Sequence, residues 1–319
     1  MRPGLNGSKR TRTVAVLLVA LSVVHSGCVD LKEVRAFADT ASAVGDRFPG
    51  LARDLHDSCM AQQRYIVAQR EDFRVDQFAD LNDPAHPLLE AGRKVCKLYE
   101  DEQERLIKAN ATLVSYMKSM GDLAADGLTN FDKGIGAFGS ALAGAQLFSE
   151  AESGAIAKLA SHLARMAADG YRRKQLRDVI KQANPDVAVA AAALSRIVSK
   201  NYVLQLENER VAMREYYRKL AVESVRFSRL AVTHARGETD VTNPVPLDDL
   251  KSRFEARNAA INTKAAGAQA YAKVLAAVAA GHQELFDHAD RLDSRAALSA
   301  ALAEAKTIQA LATEFLKAF

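Results

Sequence analysis

The feature that most constrains this chain is residues 186–236, a long stretch without proline or glycine. These two residues disfavour a helix interior most strongly. Their absence over this length predicts a helical rod of roughly 75 Å, at 1.5 Å per residue. The whole chain has only seven prolines and no tryptophan, and no run of alternating apolar and polar residues indicates a strand. The sequence therefore predicts an all-α fold.

Apolar residues recur at helical spacing through the last part of the chain. From Leu247 to Leu292 they lie three, four or seven residues apart, and a final helix capped by Asp293 or Ser294 continues the pattern to Phe319. Seams of this regularity are typical of coiled-coil-like packing between antiparallel helices. We expect an elongated antiparallel bundle of about six or seven helices.

The same periodicity places two asparagines within an apolar seam. Successive a and d positions of a heptad repeat are occupied by Leu194, Ile197, Asn201, Leu204, Asn208 and Val211. A buried asparagine at such a position fixes helix register and the number of partner helices. Asn201 and Asn208 are therefore candidate register residues. The alternative is that the seam is partly exposed to solvent at these positions.

The N-terminus has the three parts of an export signal. Four basic residues precede an apolar run, Val14 to Val24, which is too short for a transmembrane helix, and two small residues then precede Cys28. This ending resembles the lipobox of bacterial lipoprotein precursors, with His25 where that class usually has leucine. The resemblance implies a signal peptide over residues 1–27, cleaved before an acylated Cys28, and a mature body of residues 28–319. An ordinary cleaved signal peptide, which leaves a free periplasmic protein, is the alternative.

An acylated Cys28 would hold the protein on a lipid bilayer, because two or three acyl chains bind stably where one binds only marginally. Val29 follows the cysteine. Lipoproteins of the resembled class that stay in the inner membrane commonly have aspartate there. The resemblance therefore implies an outer-membrane lipoprotein that faces the periplasm.

Two further cysteines flank the first clear turn. We expect a helical hairpin over residues 31–120, with its connection at residues 71–86, where proline and asparagine give turn signals. Cys59 and Cys96 lie at similar distances from that connection, and such residues meet side by side in an antiparallel hairpin. Because an exported protein permits disulfides, we predict a Cys59–Cys96 bond. The alternative is two free thiols with a metal-binding or catalytic role.

A glycine-rich helical segment is expected over residues 121–183, followed by a long-helix bundle over residues 185–319. Asn184-Pro185-Asp186 separates them, since proline and its polar neighbours stop one helix and start another. Residues 134–139 match the dinucleotide-binding pattern G-x-G-x-x-G. That pattern requires a preceding strand and a βαβ unit, and neither is indicated. We interpret these glycines as sites of close helix approach or as a bend.

The best candidate for a metal site is Glu284 with His288, because residues four apart share one helix face. The paired Glu-x-x-His motifs of di-iron bundles are absent from the sequence, as are H-E-x-x-H, G-x-S-x-G and P-loop motifs. His282 falls on the apolar seam, where a hydrogen-bonded core histidine is the expected interpretation. We predict no cofactor and no catalytic activity.

Charge argues against nucleic acid as a partner. Of the 43 lysines and arginines, four lie in residues 1–27, which leaves 39 against 39 aspartates and glutamates. A balanced body has no general attraction to polyanions. Two functions remain open. The first is a membrane-anchored helical interaction or scaffold module, an accessory of an envelope or secretion assembly and a possible homo-oligomer. The second is a periplasmic carrier that binds a small apolar ligand or a metal in a helical-bundle cavity lined by residues 131–148 and 268–289.

Overall fold

The computed structural model describes residues 31–70, 81, 83, 85–125, 144–168, 173–234 and 247–319. Within these ranges the regular structure is helical and contains no strand, so the predicted all-α fold is confirmed. Leu31–Phe319 forms one compact unit. The predicted signal sequence, Cys28, the G-x-G-x-x-G glycines and residues 71–80 of the hairpin connection lie outside the described residues.

The described ranges contain eight α-helical segments and one π-helical turn. In chain order the α-helices are α1 (Lys32–Gly45), α2 (Phe48–Val67), α3 (Glu90–Ala124), α4 (Glu150–Ala168), α5 (Leu176–Arg196), α6 (Val203–His234), α7 (Leu247–Asp287) and α8 (Ser299–Ala318). The π-helical turn, Ile197–Tyr202, joins α5 to α6.

Helices α1 and α2 follow one another along antiparallel α3. Cys59 of α2 meets Cys96 near the start of α3, whereas Asn110, further along α3, donates from Nδ2 to the carbonyl of Gly45 at the end of α1, at 3.0 Å. Pro49 lies in the first turn of α2, where a missing N–H costs no helical hydrogen bond. Two successive helices can thus pack along one long partner.

The predicted disulfide between Cys59 and Cys96 is present, with the two Cα atoms 5.8 Å apart. It lies in a small apolar cluster formed with Met60, Val67, Leu81 and Leu89. The bond joins residues separated by 37 positions. Cross-linking a loop of this length contributes about 4 kcal/mol of stability by the chain-entropy argument.

Helices α5 and α6 run antiparallel to α7. Hydrogen bonds join them along their length, at Asn184–Gln283, Ser195–Ala272 and Arg210–Asn262. Helix α8 then folds back along α7, with the ring centroids of Phe315 and Tyr271 4.4 Å apart. At Gly267 an added Cβ would lie 2.4 Å from the side chain of Ala318, so the close approach of α8 requires glycine there.

The apolar seams predicted for the last two helices are largely confirmed. Buried positions of α7 include Leu250, Ile261, Ala268, Tyr271, Leu275, Val278, His282 and Leu285. Those of α8 are Ala301, Ala305, Ile308 and Phe315. Leu247 is an exception, since it is about half exposed at the first position of α7.

The predicted helix boundary at Asn184-Pro185-Asp186 is wrong, because α5 continues through Pro185. Proline removes one main-chain hydrogen bond from a helix interior, a cost of about 3 kcal/mol. Tertiary contacts on both sides of the proline compensate. Asn184 hydrogen-bonds to Gln283 and to His282, and the carboxylate of Asp186 lies 3.5 Å from the ring of His162. The glycine-rich segment and the long-helix bundle are therefore not divided at this point.

Asn201 and Asn208 are not the buried register residues that the heptad suggests, and the alternative of a seam partly exposed at these positions is the one found. Asn201 is partly exposed, and Leu204, Asn208 and Val211 are exposed. The π-helical turn is the cause, because it contains one residue more than an α-helical turn and so shifts the inward face by one position. The buried stripe of the rod after the turn is Tyr202, Leu206, Glu209, Met213 and Tyr216.

One helical stretch in the described ranges, Leu176–Arg226, is long and apolar enough to cross a membrane. Its most apolar window has a mean hydropathy of 1.3, and 44% of that window is buried within the protein. A core helix of a soluble protein has the same two properties. The observation is therefore weak evidence for a membrane span.

Candidate ligand-binding cleft

A cleft of about 440 Å³ lies between the C-terminal half of α2, the middle of α6 and the first turns of α7. Its polar and aromatic lining consists of Arg64, Tyr65, Glu209, Tyr216, Tyr217, Arg253 and Arg257. No histidine, cysteine or serine lines the described cleft. The volume falls within the range of about 300–1,000 Å³ that is usual for small-molecule sites.

The π-helical turn is what brings α6 residues into this cleft. Without the one-residue shift, Asn208 would take the inward position that Glu209 occupies. Glu209 is instead buried, with 9% of its surface exposed, and Tyr216 follows it two turns later on the same face. A π turn interrupting an α-helix is frequently found at a functional site, and here it determines which side chains the cleft receives.

Glu209 is the only carboxylate among the described lining residues. The hydroxyl of Ser58, on α2, donates to its Oε2 atom at 2.7 Å. Burial raises the pKa of Glu209, and the negative charge of Asp54 adds to that effect. The Ser58 hydrogen bond and the positive charges of Lys264 and Arg257 act in the opposite direction. Because burial dominates, protonation of Glu209 is easier than in water.

Another carboxylate near Glu209 belongs to Asp54 of α2, and both of its oxygen atoms have partners within the protein. Its Oδ2 atom accepts a hydrogen bond from the Tyr202 hydroxyl at 2.5 Å, and its Oδ1 atom lies 2.5 Å from the Lys264 ammonium group. Burial, together with the nearby Asp54 charge, raises the pKa of Tyr202. Lys264 is therefore paired with Asp54, and the cations that line the cleft are arginines.

Three guanidinium groups line the cleft without a carboxylate partner. In the part of the chain that the structure describes, Arg253 and Arg257 of α7 form no ion pair, and the buried Nε atom of Arg64 has no hydrogen-bond partner. A buried donor without a partner costs about 1–3 kcal/mol. Guanidinium groups bind carboxylate, sulfonate and phosphate groups through paired N–H donors. The arrangement is therefore suited to an anion.

Aromatic rings form the other wall. The ring centroids of Tyr65 and Tyr216 are 5.6 Å apart, and those of Tyr216 and Tyr217 are 5.3 Å apart with the rings edge-on. Burial raises the pKa of Tyr65 and raises that of Tyr216 to about 12. Both rings therefore stay neutral at physiological pH and offer apolar faces beside the arginines.

The cleft adjoins an apolar groove of about 280 Å³ between α6 and α7. Tyr217 and Leu250 line both cavities. Phe254 lies in the groove, with its ring centroid 5.8 Å from that of Tyr217. The polar cleft and the apolar groove are thus neighbouring cavities on the same face of α6 and α7.

The candidate metal-binding pair, Glu284 and His288, lies elsewhere, at the C-terminal end of α7. The Nε2 atom of His288 is 3.9 Å from Oε2 of Glu284. Across the described ranges, no three His, Cys, Asp or Glu side chains are grouped so that they could hold a metal ion. Glu284 and His288 therefore stand as an isolated pair.

His282 is the hydrogen-bonded core histidine that the sequence indicates. It is fully buried, and its Nδ1 atom lies 2.9 Å from Oδ1 of Asn184. Since that amide oxygen can only accept, the proton is on Nδ1, and Nε2 accepts from the Tyr116 hydroxyl at 2.8 Å. Burial lowers the pKa of His282 to about 3. This neutral network is a structural connection between α3, α5 and α7.

The cavity predicted between residues 131–148 and 268–289 stays a prediction, because most of its first wall lies outside the described ranges. The apolar seam over residues 268–289 is buried against neighbouring helices. At Gly281, for example, an added Cβ would lie 2.2 Å from the ring of Phe37. Residues 131–143 lie outside the described ranges. The cleft and groove described above are at the other end of α7.

Sequence reasoning did not find the cleft, because its residues come from three helices and from positions after the π turn. Arg253 and Arg257 share one face of a helix, but nothing in the sequence places Arg64 opposite them. Glu209 looks like an ordinary surface glutamate next to Asn208 if the helix is assumed to be regular. Comparison with protein-family models, curated proteins and solved structures found no match for this chain.

Proposed function

We propose that this protein is a non-catalytic binding protein of the bacterial cell envelope, which takes up a small organic anion in the cleft between α2, α6 and α7. The observation that carries the proposal is the charge around the cleft. Three arginines without carboxylate partners line it together with one buried carboxyl group, Glu209. A carrier function is thus favoured over the scaffold function, although the proposed ligand is an organic anion and not the small apolar ligand or metal that the sequence predicts.

The lining favours binding over catalysis. Its polar groups are guanidinium groups, neutral tyrosines and the buried carboxyl group of Glu209, and the first two kinds hold and orient a ligand. The tyrosine rings also offer π-faces against which an aromatic or apolar ligand can pack. In the described cleft no nucleophile stands beside a general base, which is the arrangement that acyl transfer and related reactions need. The predicted absence of catalysis therefore remains part of the proposal.

The location in the envelope rests on the N-terminal sequence. Residues 1–28 resemble a lipoprotein precursor, and we propose that acylated Cys28 anchors the protein to the outer membrane, facing the periplasm. The Cys59–Cys96 disulfide supports an exported protein, because disulfides persist in oxidising compartments. A balanced net charge after residue 27 gives no separate attraction to anionic lipid.

The proposal is tested with benzenesulfonate, a permanently charged aromatic anion, against benzyl alcohol, a neutral compound of similar size. Isothermal titration calorimetry should show binding of the sulfonate and much weaker binding of the alcohol. The double variant Arg253→Gln/Arg257→Gln should weaken sulfonate binding at least tenfold, since a hydrogen bond to a charged group contributes about 1.5–3 kcal/mol.

Arg226→Gln is the matched control. Arg226 is an exposed arginine of α6 outside the cleft, 4.0 Å from the carboxylate of Glu223, and its replacement should leave sulfonate binding unchanged. Equal affinity for the sulfonate and the alcohol, or equal losses in the double variant and the control, would contradict the proposal.

A second candidate function is a helical interaction module, favoured by one exposed face of α6. Leu204, Val211 and Val222 share this face and are 61%, 42% and 53% exposed. A second copy of the chain could cover it, with the Asn208 side chains meeting between the apolar positions. Sedimentation velocity would then show a dimer that Leu204→Glu dissociates. A monomer at all concentrations would contradict this candidate.

A further inference from the structure

We infer that the anion is the head group of an amphiphile with a single alkyl tail, and that the tail lies in the apolar groove beside the cleft. This inference rests on the proposed anion-binding function and specifies its ligand class. It comes from the adjacency of the two cavities. Tyr217 and Leu250 line both of them, so a ligand held by the arginines has an apolar surface directly next to it.

The groove has the lining that an alkyl tail requires. Its apolar residues are Ala221, Leu247, Leu250 and Phe254. Leu247 is 48% exposed, although it continues the apolar seam of α7. Covering apolar surface of this kind is favourable in proportion to the area removed from water. The groove therefore offers free energy that an anion without a tail cannot use.

The positive side chains along the groove favour a negatively charged ligand. Arg214, Arg218 and Lys251 line it, and no carboxylate does so among the described residues. Arg218 is paired with Glu215 at 2.9 Å and Lys251 with Glu255 at 3.9 Å, whereas Arg214 forms no ion pair in the described ranges. Long basic side chains place their methylene groups on apolar surface and their charges in water. A cationic amphiphile would meet these three like charges along the groove.

The test is a series of sodium alkylsulfonates from methanesulfonate to octanesulfonate, each kept below its micelle concentration. The protein is the chain from residue 28 onward with Cys28→Ser, which contains the whole compact unit Leu31–Phe319 and needs no detergent. Calorimetry should show that the dissociation constant falls about fourfold with each added methylene until the groove is filled. The sulfonate stays charged at every accessible pH. A change of pH therefore alters the protonation of Glu209 without altering the charge of the ligand.

Two variants separate the head from the tail. Phe254→Ser should remove most of the gain from the longer tails and leave methanesulfonate affinity unchanged. Arg257→Gln should weaken every member of the series by a similar factor. Val189→Ser, at an exposed apolar position of α5, is the control and should change neither property.

The outcomes distinguish the inference from the function on which it rests. If octanesulfonate binds no more tightly than methanesulfonate, the amphiphile inference fails and anion binding stands. If uncharged 1-octanol binds as tightly as octanesulfonate, anion binding fails as well. If vesicles of anionic phospholipid sediment the protein while octanesulfonate does not bind, the ligand is a bilayer lipid and the single-tail inference is wrong.

Discussion

Two buried ionisable side chains, His282 and Glu209, give this protein opposite responses to pH. Both lie where helices of the bundle meet, and burial disfavours the charged form of each. For a histidine this lowers the pKa, and for a carboxyl group it raises the pKa. His282 therefore stabilises the fold at higher pH, whereas Glu209 does so at lower pH. Single substitutions can separate the two contributions.

Replacing His282 by glutamine should make the free energy of unfolding less sensitive to acid. The pKa of His282 is about 3 in the folded protein, against an ordinary value of 6.5. Its contribution is therefore fully present above pH 6.5 and is lost as the pH falls towards 3. Between pH 7 and pH 5 this loss is about 2 kcal/mol. Urea unfolding at both pH values should show a drop in wild type that His282→Gln lacks, and an equal drop in both proteins would contradict this.

Replacing Glu209 by glutamine should have the opposite pH signature. Because the folded pKa is raised, the contribution of Glu209 is present below its ordinary pKa of 4.5 and is lost as the pH rises through the folded value. Relative to wild type, Glu209→Gln should therefore gain unfolding free energy between pH 4 and pH 7. It should also bind benzenesulfonate more tightly at pH 7, since one negative charge is removed. A pH-independent difference in stability would show that Glu209 titrates normally.

The π-helical turn between α5 and α6 is the element on which the cleft depends. It shifts the buried face of the helix by one residue, so that Glu209 and Tyr216 point inward in place of Asn208 and its neighbours. A π turn is geometrically an α-helix with one residue added. Removing one residue from the turn should consequently restore a regular α-helix while keeping the same residues inside.

Two single-residue deletions test this interpretation. Deleting Ser199, an exposed residue of the π turn, should leave the fold and the cleft intact. Deleting Glu207, an exposed residue of regular α-helix, should rotate all later residues by about 100° and take Met213 and Tyr216 out of the core. Chemical denaturation should show a loss of several kcal/mol for the Glu207 deletion and a much smaller one for the Ser199 deletion. Equal losses would mean that the turn does not set the register.

Features that depend on local spacing along the chain could be predicted from the sequence, whereas features that depend on contacts between distant residues could not. The seam of α7 was predictable because regular spacing in an unbroken α-helix places Tyr271, Leu275 and Val278 on one face. The Cys59–Cys96 bond was predictable because the two cysteines lie symmetrically about one turn. The continuation of α5 through Pro185 depends on contacts with α4 and α7, and these distant partners leave no local signal. The π turn likewise has no local signature, and the heptad positions from Asn201 to Val211 were therefore assigned to the wrong face.

Residues Leu31–Phe319 form one compact helical unit, and we propose that an acylated Cys28 anchors it to the membrane. The cleft lies on α2, α6 and α7, and its proposed ligand would be met in the periplasm. Intact mass and membrane fractionation test the anchor. The native protein should begin at Cys28, carry acyl groups and fractionate with the outer membrane, whereas Cys28→Ala should be soluble. A soluble native protein without acyl groups would show an ordinary exported protein.

The central claim is that the cleft holds an organic anion. Native mass spectrometry of the protein after export to the periplasm of the bacterium that produces it tests this claim most directly. The Cys28→Ser protein, released without detergent, should carry a bound small molecule of negative charge that is absent from Arg253→Gln/Arg257→Gln and present in the control Arg226→Gln. A Cys28→Ser protein with intact cleft arginines but no bound molecule, or with one that the double variant retains, would contradict this claim.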